Sequence, residues 1–124
     1  MADVNATIES WFVSLNETDA ARRAEHLAEA WADDGRWVDP PFEGQGHEAI
    51  NAMLDGVYEQ YPGIRFRRVS AIDTHHDAVR YGWEMVDRDG NVVVAGVDIG
   101  QLAPDGRLQR VSGFFGELPA EKAA

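Results

Sequence analysis

The spacing of apolar residues changes once along the chain, at Pro62-Gly63, and that change restricts the fold more than any other feature. Before it, apolar residues recur at helical intervals. Val4, Ile8, Trp11, Phe12 and Leu15 form an i, i+4, i+7 stripe with Asp3 as candidate N-cap. Asn16 to Asp19 interrupt it, and Thr18 or Asp19 can cap a second helix carrying Ala24, Leu27, Ala28 and Trp31 on one stripe. Asp34-Gly35 is expected to end that helix, and Trp37-Val38 to start a short extended piece stopped by Pro40-Pro41. A third helix is expected from Gly46, with Ile50, Met53, Leu54, Val57, Tyr58 and Tyr61 on its apolar face. After Pro62-Gly63 the period is two. Strands are expected at Ile64–Asp73, Ala78–Asp87, Asn91–Leu102 and Arg107–Leu118. Asp89-Gly90 and Asp105-Gly106 are hairpin signals between them.

Helices followed by consecutive hairpins imply an α+β fold, with three N-terminal helices packed on an antiparallel sheet. The 124 residues suit a single domain spanning 1–124, without repeats or low-complexity segments. The tail, Leu118–Ala124, is expected to fray.

Charge and composition exclude several functions. A net charge of −11 repels phosphate backbones and anionic lipid headgroups, so neither nucleic acid nor membrane is an expected partner. With no cysteine there is no disulfide, thiolate metal site or cysteine nucleophile. No apolar run approaches the roughly 20 residues of a membrane span, and Met1-Ala-Asp-Val does not begin a signal peptide, which points to a soluble cytoplasmic protein. His75-His76-Asp77 reads as a hairpin turn, His26 as an exposed helix residue and His47 as part of a helix start, so no metal and no cofactor are expected.

Strand alternation places Val94, Gly96, Asp98, Gly100 and Leu102 on one face. An Asp between two glycines has room above it, as where a ligand approaches a strand closely. Tyr81, Trp83 and Met85 share a face of one neighbouring strand, and Val111, Gly113 and Phe115 a face of the other. Together they describe an apolar small-molecule pocket. Two alternatives stay open at this level. Asp98 could face solvent opposite Arg110, and Asp39 could be a turn residue before Pro40. Arg80 and Glu84, on the opposite face from Tyr81 and Trp83, read as a cross-strand or dimer-face pair.

The order of these motifs resembles the bacterial steroid Δ5-3-ketoisomerases, within the nuclear transport factor 2-like and SnoaL-like superfamily. The resemblance runs through Trp11-Phe12-Val13-Ser14-Leu15-Asn16, Ala32-Asp33-Asp34, Val38-Asp39-Pro40, Val93-Val94-Ala95-Gly96-Val97-Asp98 and Phe115-Gly116-Glu117. It implies a cone-shaped fold with a curved sheet, a general base at Asp39 and a protonated oxyanion-hole acid at Asp98. Trp11 falls where that family has its principal oxyanion tyrosine, and Leu54 near the place of a supporting one. An indole N–H can donate one hydrogen bond in that position. Tyr58, Tyr61 and Tyr81 remain, with nothing in the sequence to bring them to the hole. Arg80 is followed at i+2 by Gly82, not by the Asp that the limonene-epoxide-hydrolase branch requires. The implied activity is proton transfer α to a carbonyl of an apolar, steroid-like or polyketide-like molecule. The alternatives are SnoaL-like polyketide cyclisation, an intramolecular aldol, and a non-catalytic ligand-binding module. A homodimer is implied by the resemblance alone.

Overall fold

A computed structural model describes residues 3–121. Helix α1, Val4–Asn16, is capped by the Asp3 carboxylate, which accepts from the Asn5 N–H, and it buries Ile8, Trp11 and Leu15. Helix α2, Ala20–Ala30, is capped by Asp19, which accepts from the Ala21 and Arg22 N–H groups. Its buried residues are Arg23, Leu27 and Ala30; Ala24 and Ala28, expected on the inner stripe, are exposed.

The helix ends four residues earlier than Asp34-Gly35 suggests, because Trp31 already belongs to strand β1, Trp31–Asp39. Gly35 marks a register irregularity inside that strand instead of a helix stop. A Cβ there would come within 2.4 Å of the Trp31 ring, so glycine lets β1 fold over its own tryptophan. Pro40-Pro41 then turn the chain into β2, Phe42–Gln45. Helix α3, His47–Gln60, follows Gly46, whose φ of 89° favours glycine.

Beyond α3 lie β3 (Arg65–Arg68), β4 (Asp73–His75), β5 (Ala78–Val86), β6 (Val92–Leu102) and β7 (Leu108–Phe115). The single strand expected at 64–73 is therefore two. Ser70 causes the break: its hydroxyl accepts from the Gly82 N–H at 2.8 Å, a hydrogen bond that a continuous ladder would have given to backbone. His75 ends β4 and His76 lies in the turn before β5, both exposed. Arg80 pairs with Asp73 and Glu84 with Arg67, not with each other. Of the tail expected to fray, residues 118–121 have no regular structure, and 122–124 lie outside the described residues.

The strands form one curved seven-stranded sheet in the order β2-β1-β7-β6-β5-β3, with β4 also on β5. It is not wholly antiparallel as expected: β1 runs parallel to β7. That pairing returns the chain's end to the strand leaving the second helix, and hairpin signals cannot announce it. The helices cover one face around a core that includes Ile8, Trp11, Leu27, Trp31, Ile50, Leu54 and Val111. Among the described residues no helix is long and apolar enough to cross a membrane.

Arg23 carries its charge into the packed interior. Arg23 is fully buried; its Nε donates to Glu17 O, and its Nη1 donates to Asn51 Oδ1 and Asp55 Oδ1, each at 2.8 Å. Arg23 thus ties α2 to α3, and removing it would leave a cavity between them and break the hydrogen bonds that join them. Arg23→Ala is expected to cost about 3 kcal/mol in urea unfolding. Exposed Arg22→Ala should change stability by less than about 0.5 kcal/mol.

Candidate functional site

Three neighbouring strands bring the two acids together. In the sheet register Asp98 of β6 lies between Tyr81 of β5 and Gly113 of β7. On the far side of β7, Val38 pairs with Ser112, which sets Asp39 beside Gly113. A Cβ at residue 113 would lie 2.1 Å from Asp39 Oδ1 and 3.2 Å from Asp98 Oδ1. The missing side chain of Gly113 is thus the space in which both carboxyls meet. Asp98 is buried, and among the described residues neither Arg110 nor any other cation pairs with it. Asp39 is half-buried, and its Oδ1 has no hydrogen-bond partner among the described residues.

Burial sets the protonation of both groups. Desolvation raises the pKa of Asp39 to about 6, opposed by the Trp37 indole beside it. Desolvation raises Asp98 further, to about 7; the Tyr81 hydrogen bond lowers it, and the charge of Asp39 raises it again. The Trp83 and Trp11 indoles also approach Asp98 closely enough to favour its ionised form, without completing a well-formed hydrogen bond. Tyr81 donates its hydroxyl to Asp98 Oδ2 at 2.8 Å. Burial, then the Asp98 charge, pushes the Tyr81 phenol well above its usual value, so it remains a neutral donor.

Two adjoining cavities, an inner and a second lobe, share four wall residues at the acids. The inner lobe, about 20 Å³, is bounded by Trp11, Leu15, Trp37, Asp39, Phe66, Trp83 and Asp98. The second, about 60 Å³, shares Trp37, Asp39, Phe66 and Trp83 with it and continues to Phe42, Val57, Met85, Val94 and Phe115. About 10–15 Å³ of such space holds one water-sized atom. Drug-sized ligands use about 300–1,000 Å³, so a steroid-sized molecule would require the walls to part. A larger surface depression, about 550 Å³, lies near Thr74, His76 and Gln109 and touches neither acid.

The residues expected to line a pocket divide into groups. Trp83, Met85 and Phe115 border the cavity, and Gly113 lies between the acids. Tyr81 borders neither lobe but bonds Asp98, a position its strand alternation did not reveal. Val111 is fully buried in the core. The room expected around Asp98 above its flanking glycines is occupied: a Cβ on Gly96 would meet Trp83 Cζ2 at 2.8 Å, and one on Gly100 would meet Val79 at 2.9 Å. Trp11 borders the inner lobe, edge-on to Trp31 and Trp37 with ring centroids 5.3 and 5.0 Å away. Leu54 is core; Tyr58 donates to Leu15 O, and Tyr61 lies at the exposed end of α3. Sequence reasoning missed Trp37 and Phe66 as walls. Trp37, two residues before Asp39 on one strand, had a signal in the alternation. His47 contacts Trp31 O at 2.8 Å and serves the start of α3. Among the described residues no group of three or more His, Asp or Glu is placed to hold a metal ion.

Comparison with known proteins agrees with this architecture. The model of the SnoaL-like domain family matches residues 8–111. A crystal structure from Agrobacterium tumefaciens, provisionally described as an isomerase of the SnoaL-like family, is 32% identical with a TM-score of 0.86, covering 94% of this chain and 100% of that one. An NTF2-like protein of unknown function from an Exiguobacterium species is 19% identical with a TM-score of 0.71, covering 90% and 99%. A Sinorhizobium meliloti protein, provisionally described as a polyketide cyclase, is 16% identical with a TM-score of 0.69, covering 88% and 94%. These last two show the fold alone. No curated protein matches. With its family model spanning most of the chain, and a relative of this identity aligned over nearly all of it, the chain belongs to the SnoaL-like domain family, within the NTF2-like fold.

Proposed function

We propose that the chain is an isomerase-type enzyme that moves a proton α to a carbonyl of an apolar small molecule. The observation that carries this reading is the pair of acids, Asp98 buried and Asp39 half-buried, converging on Gly113. Asp39, at about 6, is ionised at neutral pH yet basic enough to abstract a proton. Asp98, at about 7, keeps its proton more readily while Asp39 is charged. The two titrate as a coupled pair. Because the Tyr81 hydroxyl occupies Oδ2, the proton of neutral Asp98 belongs on Oδ1, the oxygen nearest Gly113 and the cavity. Asp39 takes the proton from the α carbon, the electron pair moves onto the carbonyl oxygen, and Asp98 donates a hydrogen bond to the resulting oxyanion. Asp39 then returns the proton to another carbon of the conjugated system. The same division between an ionised and a neutral acid operates in ketosteroid isomerase. The relative at 32% identity, provisionally described as an isomerase, supports this reading over ring closure, which begins with the same proton abstraction.

A compact β,γ-unsaturated ketone and a β,γ-unsaturated 3-ketosteroid are the substrates to try, followed by growth of conjugated-enone absorbance. Asp39→Asn is expected to lower the rate about 10²–10⁴-fold and Asp98→Asn about 10²-fold. A flat trace for the wild-type protein on both, or an undiminished rate for Asp39→Asn, would refute the proposal.

The raised pKa values also set a pH dependence. Below about pH 4 both acids are protonated in the folded and unfolded chains, and burial of the neutral forms is fully favourable. As pH rises through about 6 and 7, the unfolded chain has already ionised in water while the folded one must ionise inside the protein, so this stability is lost. Urea midpoints measured from pH 4 to 8 should show Asp98→Asn gaining stability relative to wild type, by on the order of a few kcal/mol at the upper end. Parallel pH curves would place Asp98 in a solvated, unperturbed setting.

We also infer that a second copy covers the outer sheet face, where exposed Val97 and Phe114 are paired neighbours and Ile99 lies two residues along β6. Sedimentation should give a dimer for wild type and a lighter species for Phe114→Asp.

A further inference from the structure

The indole N–H groups of Trp11, Trp31 and Trp83 are all buried without a hydrogen-bond acceptor among the described residues. Trp31 is enclosed in the core and borders neither lobe of the cavity. Trp11 and Trp83 both border the inner lobe, together with Asp39 and Asp98. A buried donor left unpaired costs free energy, and these two, which approach Asp98 without a well-formed hydrogen bond, border a space of about 20 Å³ that an acceptor oxygen can enter. Asp39 Oδ1, itself unpartnered, lies at the same lobe.

The surroundings of Trp83 hold its indole at this place. Gly96, paired with it across β5 and β6, leaves room for the ring: a Cβ at 96 would lie 2.8 Å from Cζ2 and 3.1 Å from Cε2, the carbon that bears Nε1. Phe115 packs edge-on against the same ring at 5.6 Å. At 7% exposure the tryptophan has little freedom to turn its N–H to water.

We propose that Trp83 donates its indole N–H to the substrate oxygen, completing with Trp11 and Asp98 a three-donor cradle for one oxyanion. This deepens the proton-transfer reading by adding a catalytic residue and a substrate class. The inner lobe admits one oxygen, and the second lobe, walled by Phe66, Met85 and Phe115, takes the apolar body. The ligands that fit are compact, flat ketones and their enolates, with a single oxygen at the leading end. Phenols reproduce that shape and charge without reacting.

The test uses the full chain, with its four indole N–H signals assigned by ¹⁵N NMR from single Trp→Phe variants. Phenols of graded acidity are titrated in, with toluene as the same shape lacking oxygen. The Trp83 and Trp11 signals should move downfield, more for the more acidic phenols, while Trp31 stays. Trp83→Phe should weaken phenol binding about tenfold and leave toluene binding unchanged. Phenol binding that leaves the Trp83 signal in place would overturn the inference, as would no phenol binding or an unchanged phenol-to-toluene ratio in Trp83→Phe. Wild-type titrations carry the test even where that variant folds poorly. If the indole signals respond but no enone forms, the cradle stands and the isomerase reading falls.

Discussion

Parallel pairing of β1 with β7 is the contact on which the site depends. It brings Asp39 from the end of one strand to the side of Gly113 on another, opposite an aspartate on the third. Had β1 continued into an antiparallel hairpin alone, Asp39 would remain a turn residue ahead of Pro40, and Asp98 would have no charged neighbour. A single missing Cβ then determines how close the two can be. Any side chain at 113 would collide with Asp39 Oδ1 before it met another wall.

The aromatic residues give that geometry its electrostatic character. Trp11 stands edge-on to Trp37, Trp37 to Phe42, and Trp83 to Phe115, so rings surround the acids on several sides. They exclude water, and exclusion of water is the largest cause of the raised pKa at both carboxyls. The hydrogen bond from Tyr81 works against that rise. Stability is given up for this: two acids and unpaired indole N–H groups occupy positions where aliphatic side chains would pack at no such cost.

The helical stripes and the hairpin glycines made most elements readable in advance, because their signals are local. Asp3 and Asp19 cap α1 and α2 where their positions suggest. The departures arise where a distant partner overrides a local preference. Trp31 fits a helical stripe but joins a strand because Leu108, far along the chain, pairs with it. Ser70 interrupts a run that alternates well, since its hydroxyl serves Gly82. At the site, Asp98 stood out between its glycines, yet Trp83 and Val79, from the strand opposite, occupy the space above them. Tyr81 was recognisable as an inward residue, but its bond to Asp98 depends on a cross-strand register that periodicity does not specify.

The same β1–β7 contact has a consequence for how the protein comes into being. Asp39 lies in β1, while the glycine beside it lies in β7, far later in the order of synthesis. Until β7 is released, the helices and β1 have no floor on which to set the base. The acids acquire their shared chemistry only when the two ends of the sequence meet, a long-range closure that is slow compared with helix formation. A chain cut short before Gly113 would therefore carry both aspartates and still lack a site.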